Sequence, residues 1–418
     1  MTTKTEVPSP FCGIGTDDLV LNVDGKSINV LANGCAINTP AFEQAIGDMV
    51  PRVNGEEVAL EVAVAQAADI LKASDQTLIG GCATDVNGMR ALVALADHNG
   101  AVVDNVAFNT TRRNILALQD SGWMTTTLAE VKNRCDLLVV IGTDIEKVSP
   151  RFFEHFIWNE SPMFLEASTQ CQVVYLGKEP SGQSAVSPVG VRPQVLPCAD
   201  EDLPEVVAVL RALVKGNNIS HYEVDGLALT DLQALAEQLK EAAYGVVTWS
   251  AGSLDFPHAE LTVQVICELV KDLNEKTRCS GLPLGGSDGD QTANQVTAWL
   301  TGYPARLSFA RGFPEYDPYL YDGQLLLENK EVDALLWVHD FNSKALPPEG
   351  VVPTIVIGRS GMRFEKEPAV FIPVGTPGID HCGHAFRMDG VVAIRLQKLR
   401  ESGLPSTAQV LTLIDQAQ

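Results

Sequence analysis

Short apolar runs recur along the chain at intervals long enough to hold a helix. TLIGG (77–81), AVVDN (101–105), LLVVIG (137–142), QVVYLG (172–177), GVVTWSAG (245–252), ALLWVHD (334–340), TIVIG (354–358) and VFIPVG (370–375) are continuous rather than alternating, and several end in Gly or Asp. Such runs mark strands buried on both faces of a parallel sheet, and their spacing predicts α/β layers. They are too many for one sheet of ordinary size, so two α/β modules are expected. The first part of the chain reads differently. LVLNVDGKSINVLAN (19–33) alternates apolar and polar residues around Asp24-Gly25, a hairpin signal. EEVALEVAVAQAADILKA (56–73) then shows helical spacing, with acidic residues in its first turn. The polar stretch 178–202, beginning KEPSGQSAVSPVGVRPQ, reads as a long surface loop between the modules or within one. No period of 20–50 residues repeats.

Composition narrows the class. A chain of 418 residues, 45% hydrophobic and 20% charged, is globular and long enough for two or three cores. No run approaches the roughly 18 apolar residues that a membrane helix needs. The opening MTTKTEVPSP lacks an apolar core followed by a small-residue cleavage site, so a cytoplasmic location is expected. The formal charge of −23 argues against nucleic acid, and an anionic substrate would need a local basic patch. The nine cysteines are spread from Cys12 to Cys382 without a CxxC, which favours buried thiols over a disulfide framework.

Several constellations could carry chemistry. Strand–Gly turns at Gly80-Gly81 and Gly142 could cradle a phosphate, but neither leads into G-x-G-x-x-G. GGSDG (285–289) matches G-x-S-x-G around Ser287, yet the preceding CSGLPL makes a poor strand, which favours a Gly-rich loop before the helix TANQVTAWL. DHCGH (380–384) offers His381, Cys382 and His384 beside Asp380, good zinc ligands that would need a fourth from elsewhere. Arg112-Arg113 is an unusual basic pair in an acidic chain and could clamp a carboxylate, although most such pairs are solvated or matched to nearby acids. PSPFCGIGTDDLV (8–20), with Cys35 following in NVLANGCAIN, looks like half of a metal loop. On residue chemistry alone this is an acidic α/β protein without an assigned catalysis.

Three long phrases carry a resemblance. DNVAFNTTRRNILALQDSGWMTTTLAEVKNRCDLLVVIGTD (104–144), WLTGYPARLSFARGFPEYDPYLYD (299–322) and IPVGTPGIDHCGHAFRMDGV (372–391) resemble the B subunit of formylmethanofuran dehydrogenase, a short relative of the molybdopterin-dependent formate dehydrogenases. The resemblance spans nearly the whole chain. It implies a formate dehydrogenase/DMSO reductase-like fold: a small N-terminal domain (1–55), a Rossmann-like α/β domain (56–110 with 243–418), and a second one inserted into it (111–242). The segment after Gly375 would pack back towards the N-terminal domain, and Trp123, Trp249, Trp299 and Trp337 would serve as core or interface aromatics.

Catalytic members of the family hold a [4Fe–4S] cluster on four cysteines. Aligned by PFCG and NGC, this sequence has Ser9, Cys12, Thr16 and Cys35 at those places. A second hallmark, a Cys-His-Gly-Pro turn that supplies the molybdenum or tungsten ligand, corresponds to Thr110, Thr111, Arg112 and Arg113. Ser and Thr hydroxyls, with pKa values far above a thiol's, do not routinely replace thiolates at iron, and the soft ligand and its acid–base neighbour are both absent. The resemblance therefore implies a chain that carries neither cofactor and is not itself catalytic. That pattern is similar to the non-redox B subunit of the formyltransferase/hydrolase complex of methylotrophic bacteria. Such a complex moves a formyl group from tetrahydromethanopterin to a methanofuran-type carrier and releases formate. Implied partners are a formyltransferase subunit, an amidohydrolase-like subunit, a further small subunit and a polyglutamylated carrier, with Arg112 and Arg113 filling the former pocket or binding anionic groups. The alternative is an active dehydrogenase B subunit with altered ligands.

Overall fold

Every apolar run singled out in the sequence forms a strand: Thr77–Ala83, Val102–Val103, Leu137–Ile141, Gln172–Leu176, Gly245–Ser250, Ala334–His339, Thr354–Arg359 and Val370–Val374. Most are buried along their whole length, as strands covered on both faces must be. The computed structural model describes residues 2–165, 170–222, 224–350 and 352–418. The chain is a mixed α/β fold with several sheets, divided into two units, Met1–Phe108 with Gly286–Gln418 and Asn109–Gly285.

The first unit is built on a nine-stranded sheet. Its parallel middle runs Val102–Val103, Thr77–Ala83, Ala334–His339, Thr354–Arg359, Val370–Val374. Numbered along the chain, these strands stand in the order 2-1-3-4-5, the flavodoxin-like doubly wound arrangement. Short antiparallel strands extend the sheet on both sides. Helices Leu60–Ala73, Val86–Asn99, Asp290–Thr301 and Thr407–Ala417 cover it, and their apolar stripes (Ala67, Leu92, Val296, Leu411 among them) join Ile79, Leu336 and Ile372 in one core.

An antiparallel sheet of Thr2–Val7, Leu19–Asp24 and Ser27–Ala32 opens this unit. Asp24 pairs with Ser27, so the two turn residues are Gly25 and Lys26, one place beyond the sequence signal; Gly25 supplies the positive φ of 59°. The small core beneath holds Val7, Phe11, Leu19, Leu21 and Phe42 together with Phe341, Ile379 and Leu399 from the far end of the chain. The segment after Gly375 thus packs back here: Met388 N–H donates to Gly13 O, and Arg400 Nη1 donates to Lys26 O.

The second unit has five parallel strands in the order Gln194–Leu196, Gln172–Leu176, Leu137–Ile141, Gly245–Ser250, Cys279–Leu284. Counted along the chain this is 3-2-1-4-5, the dinucleotide-fold order. The resemblance places the return to the first unit near Ala243; in the structure it lies at Gly286, because Gly245–Ser250 and Cys279–Leu284 hydrogen-bond onto Leu137–Ile141 and complete its sheet.

CSGLPL, which the sequence marks as a poor strand, is a strand after all. Gly281 N–H donates to Met124 O, away from Gly245–Ser250, and position 283, two residues on, points the same way. Pro283 therefore removes no bond from the sheet, as an edge position allows.

Candidate functional site

The opening loop brings its four singled-out residues together. Ser9 N–H donates to Thr16 O at 2.8 Å, closing the loop, and Cys12 Sγ lies 3.4 Å from Thr16 Oγ1. At the centre sits Asn38, fully buried at the start of helix Asn38–Glu43. Its Oδ1 accepts from Ser9 Oγ at 2.6 Å and its Nδ2 donates to Thr16 Oγ1 at 3.2 Å, while its backbone N–H reaches Cys35 Sγ at 3.4 Å. Ser9, Cys12 and Thr16 are all buried. One asparagine thus links all four corners, directly or through Thr16. Sequence reading missed Asn38, since an Asn three residues after a Cys has no spacing that marks it.

Thr110, Thr111, Arg112 and Arg113 belong to the second unit and lie in the first turns of helix Phe108–Ser121 rather than in a turn. Thr110 stands beside Gly252, in the loop that leaves strand Gly245–Ser250. Arg113 reaches the same loop: Nη1 donates to Ala251 O at 2.6 Å, and Nη2 pairs with Asp255 at 3.0 Å. The Arg113 side chain is 16% exposed and the Asp255 side chain 88% exposed, so the guanidinium is largely covered and its acid is not. One residue on, Asn114 Oδ1 accepts from Trp249 Nε1 at 2.9 Å. In this unit the connections reverse between Leu137–Ile141 and Gly245–Ser250, and the two strand ends are tied where Ser250 N–H donates to Thr143 Oγ1 at 2.8 Å. Arg113 therefore stands at the carboxyl end of the sheet, beside its switch point.

The corresponding crevice of the first unit lies between Thr77–Ala83 and Ala334–His339. Asp340, fully buried, accepts from Thr84 and from Thr407, the latter at 2.7 Å. Burial pushes its carboxyl well above the ordinary range, more than these hydroxyls draw it down. Asp85 caps helix Val86–Asn99 by accepting from Gly88 N–H. Arg359 Nη1 donates to Phe341 O and Nη2 to Ala41 O, joining the end of the sheet to helix Asn38–Glu43. Nothing in the sequence periodicity marks these groups, because they stand at strand ends, in the loops that follow or at a helix start, as polar residues in α/β folds commonly do.

The remaining sequence candidates disperse. Asp380 is spent on a buried pair with Arg400 at 2.8 Å and on Thr376 N–H. Both His381 ring nitrogens face backbone carbonyls, of Cys382 and Gly375. Gly383 sits against Asp85, where a Cβ would come within 2.5 Å of its carboxylate. Within DHCGH, Asp380 and His381 are thus taken up by contacts inside the fold, while Cys382 and His384 are exposed. Around Ser287 the strained conformation belongs to Asp288 (φ 50°), so the serine is not presented on a nucleophile elbow. Trp249 and Trp337 are core residues, whereas Trp299 is 63% exposed.

Comparison with known proteins decides the family. No protein-family model matches the chain. The Fhc B subunit of the formyltransferase/hydrolase complex of Methylorubrum extorquens is 30% identical over 337 residues, covering 79% of this chain and 86% of that one. The chain belongs to the family of the formylmethanofuran dehydrogenase and Fhc B subunits. Two B subunits of tungsten-containing formylmethanofuran dehydrogenase 2 are also similar. That of Methanocaldococcus jannaschii is 29% identical over 408 residues (94% of this chain, 93% of the relative), and that of Methanococcus maripaludis 27% over 425 (98% and 97%). Among solved structures, a chain of the FhcABCD complex of Methylorubrum extorquens with methylofuran matches with a TM-score of 0.76 at 27% identity, over 88% of this chain and 98% of that one. Among the described residues no helix is long and apolar enough to cross a membrane.

Proposed function

We propose that this family member is a non-redox structural subunit of a heteromeric formyltransferase/hydrolase complex in the cytoplasm. In this reading it carries no iron–sulfur cluster and no molybdopterin. Its partners supply the formyl transfer from formyl-tetrahydromethanopterin to a methanofuran-type carrier and the release of formate. They are a formyltransferase subunit, an amidohydrolase-like subunit and a further small subunit. Its formate dehydrogenase/DMSO reductase-like domains act as scaffold.

The observation that carries this reading is the Ser9–Asn38–Thr16 network. A four-iron cluster draws a deprotonated sulfur to each iron. Here two of the four donors are alcohols, and a buried carboxamide is bonded between them, so the donor set does not fit the cluster. Thr110 and Thr111 likewise offer no soft ligand, and Arg113 is engaged with Ala251 O and Asp255. Arg112 and Arg113 would then serve as pocket filling or as a seat for a carrier's anionic groups. Kinship with the FhcABCD chain supports the heteromeric setting.

A second reading is favoured by one observation: the tungsten-containing relatives align over more of the chain than the Fhc B subunit does. It makes the protein an active formylmethanofuran dehydrogenase B subunit with altered ligands. Elemental analysis of the complex purified from its host separates the two. Metal-free protein that brings down formyltransferase and amidohydrolase-like chains is expected. Stoichiometric tungsten or molybdenum, or iron with acid-labile sulfide, would establish the second reading in place of the first.

A further inference from the structure

Two thiols meet at the amino ends of adjacent parallel strands in the second unit. Cys135 closes helix Leu128–Arg134, its N–H bonded to Val131 O, and Cys171 immediately precedes strand Gln172–Leu176. Leu137 is in register with Gln172, and Gln172 N–H donates to Asp136 O at 2.8 Å, which fixes the two approaches side by side. The sulfurs lie 3.6 Å apart. Cys135 is 3% exposed, whereas Cys171 is half-buried and lines a surface depression of about 440 Å³ beside Trp158 and Arg192. Cys171 is therefore the more accessible of the two thiols.

We propose that Cys135 and Cys171 form a reversible disulfide, with Cys171 the entry thiol and a small-molecule disulfide the oxidant. The Cys171 thiolate attacks one sulfur of the oxidant, breaking its S–S bond and releasing one small thiolate. Cys135 gives up its proton and attacks the Cys171 sulfur of the mixed disulfide, expelling the second small thiolate. Two protein thiols are oxidised, one small disulfide is reduced to two thiols, and the two protons pass to those products. The order follows from access and burial. Burial, and after it the neighbouring Cys171 sulfur, holds the Cys135 thiol well above the ordinary range, so it is a poor first nucleophile for an external oxidant.

The link ties a helix to the sheet beside a stacked pair. Arg134 holds its guanidinium 3.9 Å from the Phe164 ring centre, and Phe164 N–H donates to Asn133 O. Oxidation would fasten this corner at a second point and close the chain between 135 and 171 into a loop.

Intact protein is incubated with oxidised glutathione, alkylated, and mapped by peptide mass spectrometry under non-reducing conditions. The expected product is a Cys135–Cys171 linked peptide, dominant over any other cysteine pairing and abolished by dithiothreitol. Cys135→Ser should accumulate glutathione on Cys171, and Cys171→Ser should leave Cys135 unmodified. Wild-type protein that carries glutathione on Cys171 without the link, or reacts only at the exposed Cys382, would overturn the proposal. The wild-type map decides even where a variant fails to fold, which circular dichroism reports.

Discussion

Asn38 is the residue on which the opening loop turns. Its side chain is buried with both polar ends engaged, so Asn38→Ala leaves the Ser9 hydroxyl without its acceptor and Thr16 without its donor. The expected loss is about 1–3 kcal/mol of unfolding free energy per stranded buried group, read from urea melts; a variant as stable as the parent would show that the network is dispensable. The corners were legible because the family resemblance, aligned at PFCG and NGC, names them. Asn38 was not, because its role comes from three-dimensional closure that no periodicity records.

Asp104 gives a second test at this scale. Burial raises its carboxyl to about 6, more than the neighbouring Arg306 and the Gly323 N–H lower it. A folded-state value above the ordinary 3.8 means that the native state binds the proton more tightly. This group's contribution is then full below about pH 4 and is lost as pH rises through 6. Asp104→Asn should remove that fall, so the stability difference between variant and parent should change steadily from pH 4 to pH 6.5 in urea melts, in the variant's favour. A constant difference would contradict the assignment.

Among elements, the strands were the most legible part. Continuous apolar runs such as 137–142 and 334–340 are fixed by burial on both faces, and no helix competes with them at that length. Cys279–Leu284 escaped because its Gly and Pro have low strand propensity, and only its edge position makes them harmless. Two predictions belong here. Helix Thr407–Ala417 begins with a capping box, Ser406 with Gln409, and buries Val410, Leu411 and Ile414. Ser406→Ala should cost about 0.5–2 kcal/mol by thermal or urea unfolding, with Ser406→Asp nearly neutral. Helix Phe108–Ser121 is tied to the loop after Gly245–Ser250 through Arg113. Arg113→Ala should lose about 1–3 kcal/mol, most of it from the bond to Ala251 O, because Asp255 is exposed and its ion pair is screened. An Asp255→Ala variant that loses as much as Arg113→Ala would reverse that apportioning.

For the whole molecule, the alternation of strands and helices foretold two α/β modules, but the order of strands within each was beyond reach. Pairing of Gly245–Ser250 with Leu137–Ile141 joins residues about a hundred positions apart, and nothing in either run names its neighbour. The excess of 23 negative charges is a property of the whole surface, and self-repulsion at that density opposes compaction. Raising ionic strength from about 0.01 to 0.15 M shortens the screening length from about 30 to 8 Å, so the melting temperature should rise with salt. A fall would mean that attractive pairs outweigh the net repulsion.

The Asn38 network also has a bearing on descent. Replacing Ser9 or Thr16 alone by Cys puts a thiol where an alcohol now bonds the carboxamide, and leaves Asn38 with a weaker partner in a dry interior. Each single substitution therefore runs uphill, so a four-thiol loop at these positions would need Ser9, Thr16 and Asn38 exchanged together. Change at either alcohol is thus tied to change at Asn38.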